Sequence, residues 1–342
     1  MRWVCAAILT AMAAVPVKSA GGVEVNVNEA ARRVDVVIDG QPFTSYIWPD
    51  TLKKPVLYPL RTAKGTLVTR GFPLDPRKGE RVDHPHHVGL WFNHGDVNNL
   101  DFWNNSDAIK PADAPKMGTI VHRTVLEAKS GPGEGVLTIE TAWMAPGDKQ
   151  LLKEVTRFVF RGGADARTID RTTTLTALGE KVTFEDSKEG VLGMRVTREL
   201  EQPADKPEVF TDAAGRATPV AVLDNTGVTG KYVSSEGLEG DAVWSTRAKW
   251  TMLGGMIGGE NVTVAIIDHP SNPGYPTHWH ARGYGLFAAN PLGDKQFNEP
   301  NPFNFVLDAG KSVTFRHRVV ILSAPPSKDR IERESRAFAQ GS

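Results

Sequence analysis

The chain has 342 residues, and its 40 lysines and arginines are balanced by 40 aspartates and glutamates. A zero formal charge removes the electrostatic drive toward nucleic acid or an anionic membrane surface. The single cysteine, Cys5, lies in the first few residues, so the body of the chain has no disulfide, thiolate metal ligand or cysteine nucleophile.

In chain order, Arg2 is followed by an apolar, alanine-rich run from Trp3 to Val17 and by small residues at Ser19 and Ala20. That order reads as a secretory signal peptide over residues 1–20. The run is too short for a comfortable transmembrane helix, and later apolar runs are interrupted, so no span is expected after the signal. The expectation is a periplasmic or secreted protein whose residues 21–342 form one β domain. About 320 residues are enough to bury a large core without covalent staples.

Short β-rich runs punctuated by glycine and proline then dominate. They are VEVNV (23–27), RVDVVIDG (33–40), FTSYIW (43–48), GTLVTRGF (65–72), GTIVHRTVLEA (118–128), GVLTIETAWM (135–144), EVTRFVF (154–160) and RTTTLTAL (171–178). VTFEDSKEGVLGMRV (182–196), VTVAIID (262–268), FNFVLDAG (303–310) and SVTFRHRVVIL (312–322) complete the series. Many strands at short spacing predict an all-β sandwich or barrel. Polar, proline-bearing stretches at 104–117 and 201–216 read as excursions from the sheets. Helical character is confined to SKDRIERESRAFA, with Ser327 as N-cap, which predicts one short C-terminal surface helix.

Seven of the nine histidines fall in two aromatic-rich stretches. DHPHHVGLWFNHGD holds His84, His86, His87 and His94; HPSNPGYPTHWHARGYGLF holds His269, His278 and His280. Imidazole is a proton shuttle near neutral pH and the commonest metal ligand. In an extended strand, His84 and His86, like His278 and His280, project to one face. Each pair then offers two rings to a divalent metal, although Pro85 argues for a loop in the first. His87 leads directly into VGLWF and suits acid/base work near a carboxylate, the best being Asp186 and Glu189. A solvated turn is the competing account of those acids. Arg70 and Arg282 suit hydroxyl or carboxylate recognition, and structural ion pairing fits them equally. Trp91, Trp279, His94 and Asp96 supply the aromatic and polar groups of a sugar site. Asp83-His84-Pro85 recurs as Asp268-His269-Pro270, an echo too short to establish a repeat. P-loop, dinucleotide-glycine, G-x-S-x-G and H-E-x-x-H motifs are absent.

The run YPLRTAKGTLVTRGFPLDPRKGERVDHPHHVGLWFNHGDVNNLDFW (58–103) resembles the PmoA-type family of exported bacterial proteins. DSKEGVLGMRV, IIDHPSNPGYPTHWHARGYGLFAANPLG and FRHRVVIL look like its remaining blocks. The family's methane oxygenase label does not suit this chain, because such a subunit needs several spanning helices. The resemblance implies an all-β protein associated with carbohydrate-degrading systems. At fold level it implies a large β-sandwich of the galactose-mutarotase-like supersandwich kind, whose members bind sugars in a cleft lined by histidines, arginine and a catalytic carboxylate.

The leading expectation is therefore a carbohydrate-active enzyme acting on a small sugar or oligosaccharide by epimerisation, hydrolysis or elimination. His87 and His280 exchange protons, Glu189 or Asp186 is the partner carboxylate, and Arg70, Arg282, Trp91, Trp279, His94 and Asp96 hold the sugar. A second expectation is a zinc, copper or iron centre built on His84, His86 and His278, with hydrolytic or oxidative chemistry. The third, a non-catalytic sugar-binding module, has little use for so many imidazoles.

Overall fold

The structure is a computed structural model that describes residues 22–341; residues 1–20, expected to be a signal peptide, lie outside the described residues. In chain order the strands are β1 (Val23–Asn28), β2 (Arg33–Ile38), β3 (Gln41–Ile47), β4 (Val56–Leu57), β5 (Leu90–His94) and β6 (Thr119–Lys129). They continue with β7 (Gly135–Ala145), β8 (Lys149–Gly162), β9 (Ala166–Ala177), β10 (Val182–Phe184), β11 (Gly190–Arg195) and β12 (Lys231–Ser234). The last are β13 (Trp250–Ile257), β14 (Glu260–Asp268), β15 (His278–Arg282), β16 (Leu286–Asn290), β17 (Phe305–Leu307) and β18 (Ser312–Leu322), followed by helix α1 (Lys328–Gln340).

Two eight-stranded antiparallel sheets result, ordered β1-β2-β3-β4-β5-β11-β16-β15 and β12-β13-β14-β18-β9-β8-β7-β6, with β10 and β17 as a small third pair. The all-β sandwich with a short C-terminal helix is thus the observed architecture. β9 shows why these segments pair as they do: its residues alternate half-buried and buried along their whole length, so one face meets the opposing sheet. The sheets meet through rings such as Phe92, which lies 5.6 Å from Phe315 and 6.5 Å from Trp143. Helix α1 sits on the back of the second sheet, where Ile331 and Phe338 pack with Trp250, Met252 and Val320. Its N-cap is Ser327, whose hydroxyl accepts from the Arg330 amide.

Several strand expectations change. GTLVTRGF forms only isolated bridges, Arg61 to Leu67 and Thr69 to Val196, because Arg70 is drawn toward the histidine loop. The 182–196 run splits into β10 and β11 around a loop at 185–189, where the cluster of charges interrupts the apolar pattern. β12, β13, β15 and β16 were not foreseen as strands.

In contrast to β9, strands β5 and β11 are buried on both faces. Something therefore covers the outer face of the first sheet as well, and that cover contains the histidines.

Candidate functional site

Register decides which side chains share the outer face. Trp91 pairs with Gly193, Gly193 with Ala288, and Ala288 with His280. Side chains directly opposite one another point to the same side, so one row runs Trp91–Gly193–Ala288–His280 across four strands. The next row holds Arg195, Leu286 and Arg282. The two histidine segments therefore flank a floor whose middle positions are glycine and alanine, and the Trp91 and Trp103 rings pack over it. Gly193 is required there: a Cβ would come within 2.5 Å of the Trp91 ring and 3.0 Å of Trp103.

Trp103 joins the two flanks. Asp101 Oδ1 accepts from the backbone amides of Trp103 and Asn104, each at 2.9 Å, which turns the chain after β5 back over the sheet. The Trp103 indole N–H donates to Nε2 of His87 at 3.1 Å. The same ring lies 12° from parallel to His280, with centroids 6.4 Å apart. Asn104 then donates from Nδ2 to Glu189 Oε2 at 3.0 Å.

Residues 83–87 form a turn rather than a strand, closed by the His87 amide donating to the His84 carbonyl at 3.0 Å. His84 adopts φ +43°, a conformation that costs a non-glycine residue free energy and needs support. Arg70, 1% exposed, gives that support. It donates to the carbonyls of Arg81, Asp83, His84 and His87 and to Asp83 Oδ1. Lys54 donates to the His86 and Trp103 carbonyls and so ties the two covering loops together. Burial, opposed by Asp101, lowers the pKa of its ammonium to about 7.

Asp83 is the electrostatic centre. Its Oδ1 accepts from Arg70 Nη1 at 2.6 Å and Arg195 Nη2 at 2.7 Å, and its Oδ2 lies 2.8 Å from His84 Nδ1. Burial opposes ionisation, but Arg195, the His84 hydrogen bond and Arg70 together hold the carboxyl well below the usual range. Asp83 therefore stays an acceptor and fixes His84 with Nδ1–H toward it, leaving Nε2 outward. The His84 side chain is 40% exposed and is stacked between His87 at 4.8 Å and Tyr284 at 5.0 Å. Arg195 lies 4.8 Å from the Tyr284 ring centroid.

The opposite flank is built on β15. His280 Nδ1 lies 2.8 Å from the Lys188 carbonyl, and since a carbonyl only accepts, Nε2 is the ring's acceptor. Burial is the main reason its pKa falls to about 3, and the field of His84 contributes. Trp244 packs 4.7 Å from His280 and carries the Arg282 guanidinium 4.6 Å from its ring centroid. Burial raises the pKa of the Tyr284 phenol, opposed by Arg195 and Arg282. This outer face thus carries a cationic fork at Arg282, the carboxylates of Asp83 and Glu189, and one partly exposed imidazole, His84.

Of the residues singled out from sequence, His84, His86, His87, Trp91, Glu189, His280 and Arg282 come together on this outer face and its cover. Others do not. Trp279 and His94 have the opposite strand parity and point into the intersheet core, where both are fully buried; Trp279 donates to the Ala248 carbonyl and His94 Nε2 meets the Glu185 carbonyl. Asp186 is consumed as a loop anchor, accepting from the amides of Lys295, Gln296 and Phe303. Asp96 accepts from the Asn99 amide in the turn after β5. His87 lies at the bottom of the cluster with Nε2 occupied by Trp103, and burial pushes its pKa well down. Arg70 faces the loop backbone, and Trp91 is floor.

His278 shares the outer face with His280, as the two-residue spacing predicts, and both rings meet Phe297 at 4.8 and 6.3 Å. Asp294 and Glu299 each lie 3.7 Å from its Nε2. The turn at His84–Pro85 breaks the shared face of the first pair. Among the described residues no group of three or more His, Cys, Asp or Glu side chains converges at metal-ligand spacing, so His84, His86 and His278 do not form one coordination set. A larger cavity, about 950 Å³, lies elsewhere, beside Trp48 and His122.

Residues 33–336 match DUF6807, a family of unknown function. The chain belongs to the DUF6807 family. No curated protein matches this DUF6807 chain in sequence. Among solved structures it is similar to a GH36 alpha-galactosidase from Geobacillus stearothermophilus, at 11% identity and TM-score 0.42, covering 88% of this chain and 41% of that one. It thus spans about two fifths of the galactosidase. A galactose mutarotase-like protein from Clostridium acetobutylicum aligns at 9% identity and TM-score 0.33, covering 87% and 98% of the two chains. A GalM/aldose epimerase homologue from C. elegans aligns at 11% and 0.32, covering 89% and 98%.

Asp83, Arg195, Trp103 and Tyr284 of the DUF6807 chain were not given site roles from sequence. Arg195 had a usable signal: it ends a strand otherwise composed of glycine and apolar residues, and a charge placed there needs a partner.

Proposed function

We propose that the outer face of the first sheet binds a sugar or glycoside beside His84 and moves protons on it, with His84 as the acid/base group. The observation that supports this is the Asp83–His84 pair. A carboxylate kept ionised by two buried arginines orients an imidazole whose other nitrogen faces outward beside aromatic rings. That is the arrangement general acid/base catalysis asks of a histidine and its orienting group. Glu189, tied to Asn104, is the second proton-exchanging group.

Arg282 and His280 Nε2 supply hydrogen bonds to hydroxyls, while Tyr284 and Trp244, whose rings carry His84 and Arg282, hold those groups in place. His87, Arg70 and Trp91 are positioning residues in this reading, since their polar atoms or faces are already engaged. Epimerisation, hydrolysis and elimination all need one group to take a proton and another to give one, so the reading is a carbohydrate-active acid/base enzyme. Export, resting on residues 1–20, and the PmoA-type likeness of the histidine blocks belong to the same reading.

A panel of methyl glycosides and free sugars, followed for mutarotation, cleavage and unsaturated products, tests it. Turnover by the intact chain that His84→Gln abolishes supports the assignment. Full turnover in that variant overturns it.

A further inference from the structure

Between the histidine turn and the loop after Trp103 lies a cavity of about 570 Å³. It opens onto a small apolar cluster on the outer face, separate from the intersheet core; Leu52, Val56, Leu74 and Val88 belong to both. A volume of this size suits a ligand part of one or two rings. Its polar lining is largely neutralised. Lys53 is paired with Asp107 at 2.5 Å, and Asn105 donates away from the cavity to the Gly118 carbonyl and Thr119 hydroxyl.

His86 stands between this cavity and the other histidines of the turn. Its ring meets His87 edge-on at 4.3 Å and His84 at 5.6 Å, and it also lines the cavity. Its Nε2 is buried with no hydrogen-bond partner, a position that favours a ligand hydroxyl or ether oxygen nearby. The ring stays neutral, because burial and then Lys54 depress its pKa to about 2.

Because His86 joins the two regions, we propose that the cavity seats the uncharged, apolar aglycone of a glycoside whose sugar lies on the outer face beside His84. The inference rests on the sugar reading and narrows it: the link between sugar and aglycone lies beside His84, and the preferred substrates are aryl or similarly apolar glycosides. A charged leaving group has no counter-ion there other than Lys54, whose amine is held by two carbonyls.

Titration calorimetry of the full chain with methyl, phenyl and 2-naphthyl glycosides of common hexoses and pentoses, and with 2-naphthol alone, tests this. For at least one sugar the aryl glycoside is expected to bind tenfold or more tightly than the methyl glycoside. Leu74→Trp, which fills the cavity from a half-buried turn, is expected to erase that difference and leave methyl glycoside affinity unchanged. Ala108→Trp, on an exposed loop, is the second block should the first misfold. Equal affinity of aryl and methyl glycosides, or an advantage surviving both blocks, overturns the inference. If no glycoside binds, 2-naphthol decides: binding lost in the blocked variants keeps the apolar site and removes the sugar reading, while no binding removes both.

Discussion

The Trp103 indole N–H donates to His87 Nε2 at 3.1 Å while the same ring lies nearly parallel to His280 on the far flank. One side chain thus contacts both histidine segments, which are almost two hundred residues apart. Trp103→Phe keeps a ring in place but leaves the buried His87 nitrogen without its donor. An unsatisfied buried polar group costs about 1–3 kcal/mol. Urea denaturation is expected to show that loss, and an unchanged midpoint would mean the contact holds nothing together.

His84 and His87 are predicted to separate cleanly. His84→Gln removes the outward imidazole from a 40% exposed side chain, so turnover falls by about 10²–10⁴ with little change in stability. His87→Ala removes the Trp103 acceptor in a fully packed place and is expected to lower stability by about 2 kcal/mol or more. Parallel melting curves and rates for the two variants check the division. The reverse pattern would return the catalytic role to His87.

Arg195 is fully buried and shares Asp83 with Arg70. Arg195→Met leaves a partly buried carboxylate short of one cation, and breaking such a pair costs about 3–5 kcal/mol. The variant should also lose the depression of the Asp83 pKa. Because the folded pKa lies below the unfolded one, the pair stabilises the wild type above about pH 4 and that contribution is lost as pH falls further. Chemical denaturation from pH 7 to 3 is expected to show a smaller acid-induced loss in Asp83→Asn than in the wild type.

Burial is the largest cause of the low pKa of His280, about 3, and of His317, also about 3. Free imidazole titrates near 6.5. Between those values the unfolded chain binds protons that the folded chain refuses, so stability drops as pH falls from about 6.5 toward 3. Each such ring contributes up to about 1.4 kcal/mol per pH unit. The urea midpoint should decline steadily from pH 7 to 5, with a shallower slope in His280→Gln. A flat profile in the wild type would contradict neutral burial of these rings.

The β architecture was legible because it is local: alternation in RTTTLTAL and SVTFRHRVVIL needs only one exposed and one buried face. The site was half legible. Composition marked the two histidine stretches, but which rings share a face depends on long-range register, and neither Gly193 opposite Trp91 nor Ala288 opposite His280 announces itself in sequence. Trp279 and His280 differ by one residue and face opposite sides of a sheet. Pro85 and the left-handed His84 make the first pair a loop, as Pro85 argued, and leave His84 partly exposed while His87 is buried. Arg195 was legible as a charge ending an apolar strand, but its partner Asp83 was not, because the two are joined only through the folded histidine turn.

Both histidine flanks are proposed to face one ligand-binding site. Imidazole NMR signals of His84 and His280, assigned by substitution and titrated with the methyl glycoside panel, test it most directly. The account predicts that at least one glycoside moves both signals along a single saturation curve. Glycosides that move neither signal, or one without the other, would contradict it.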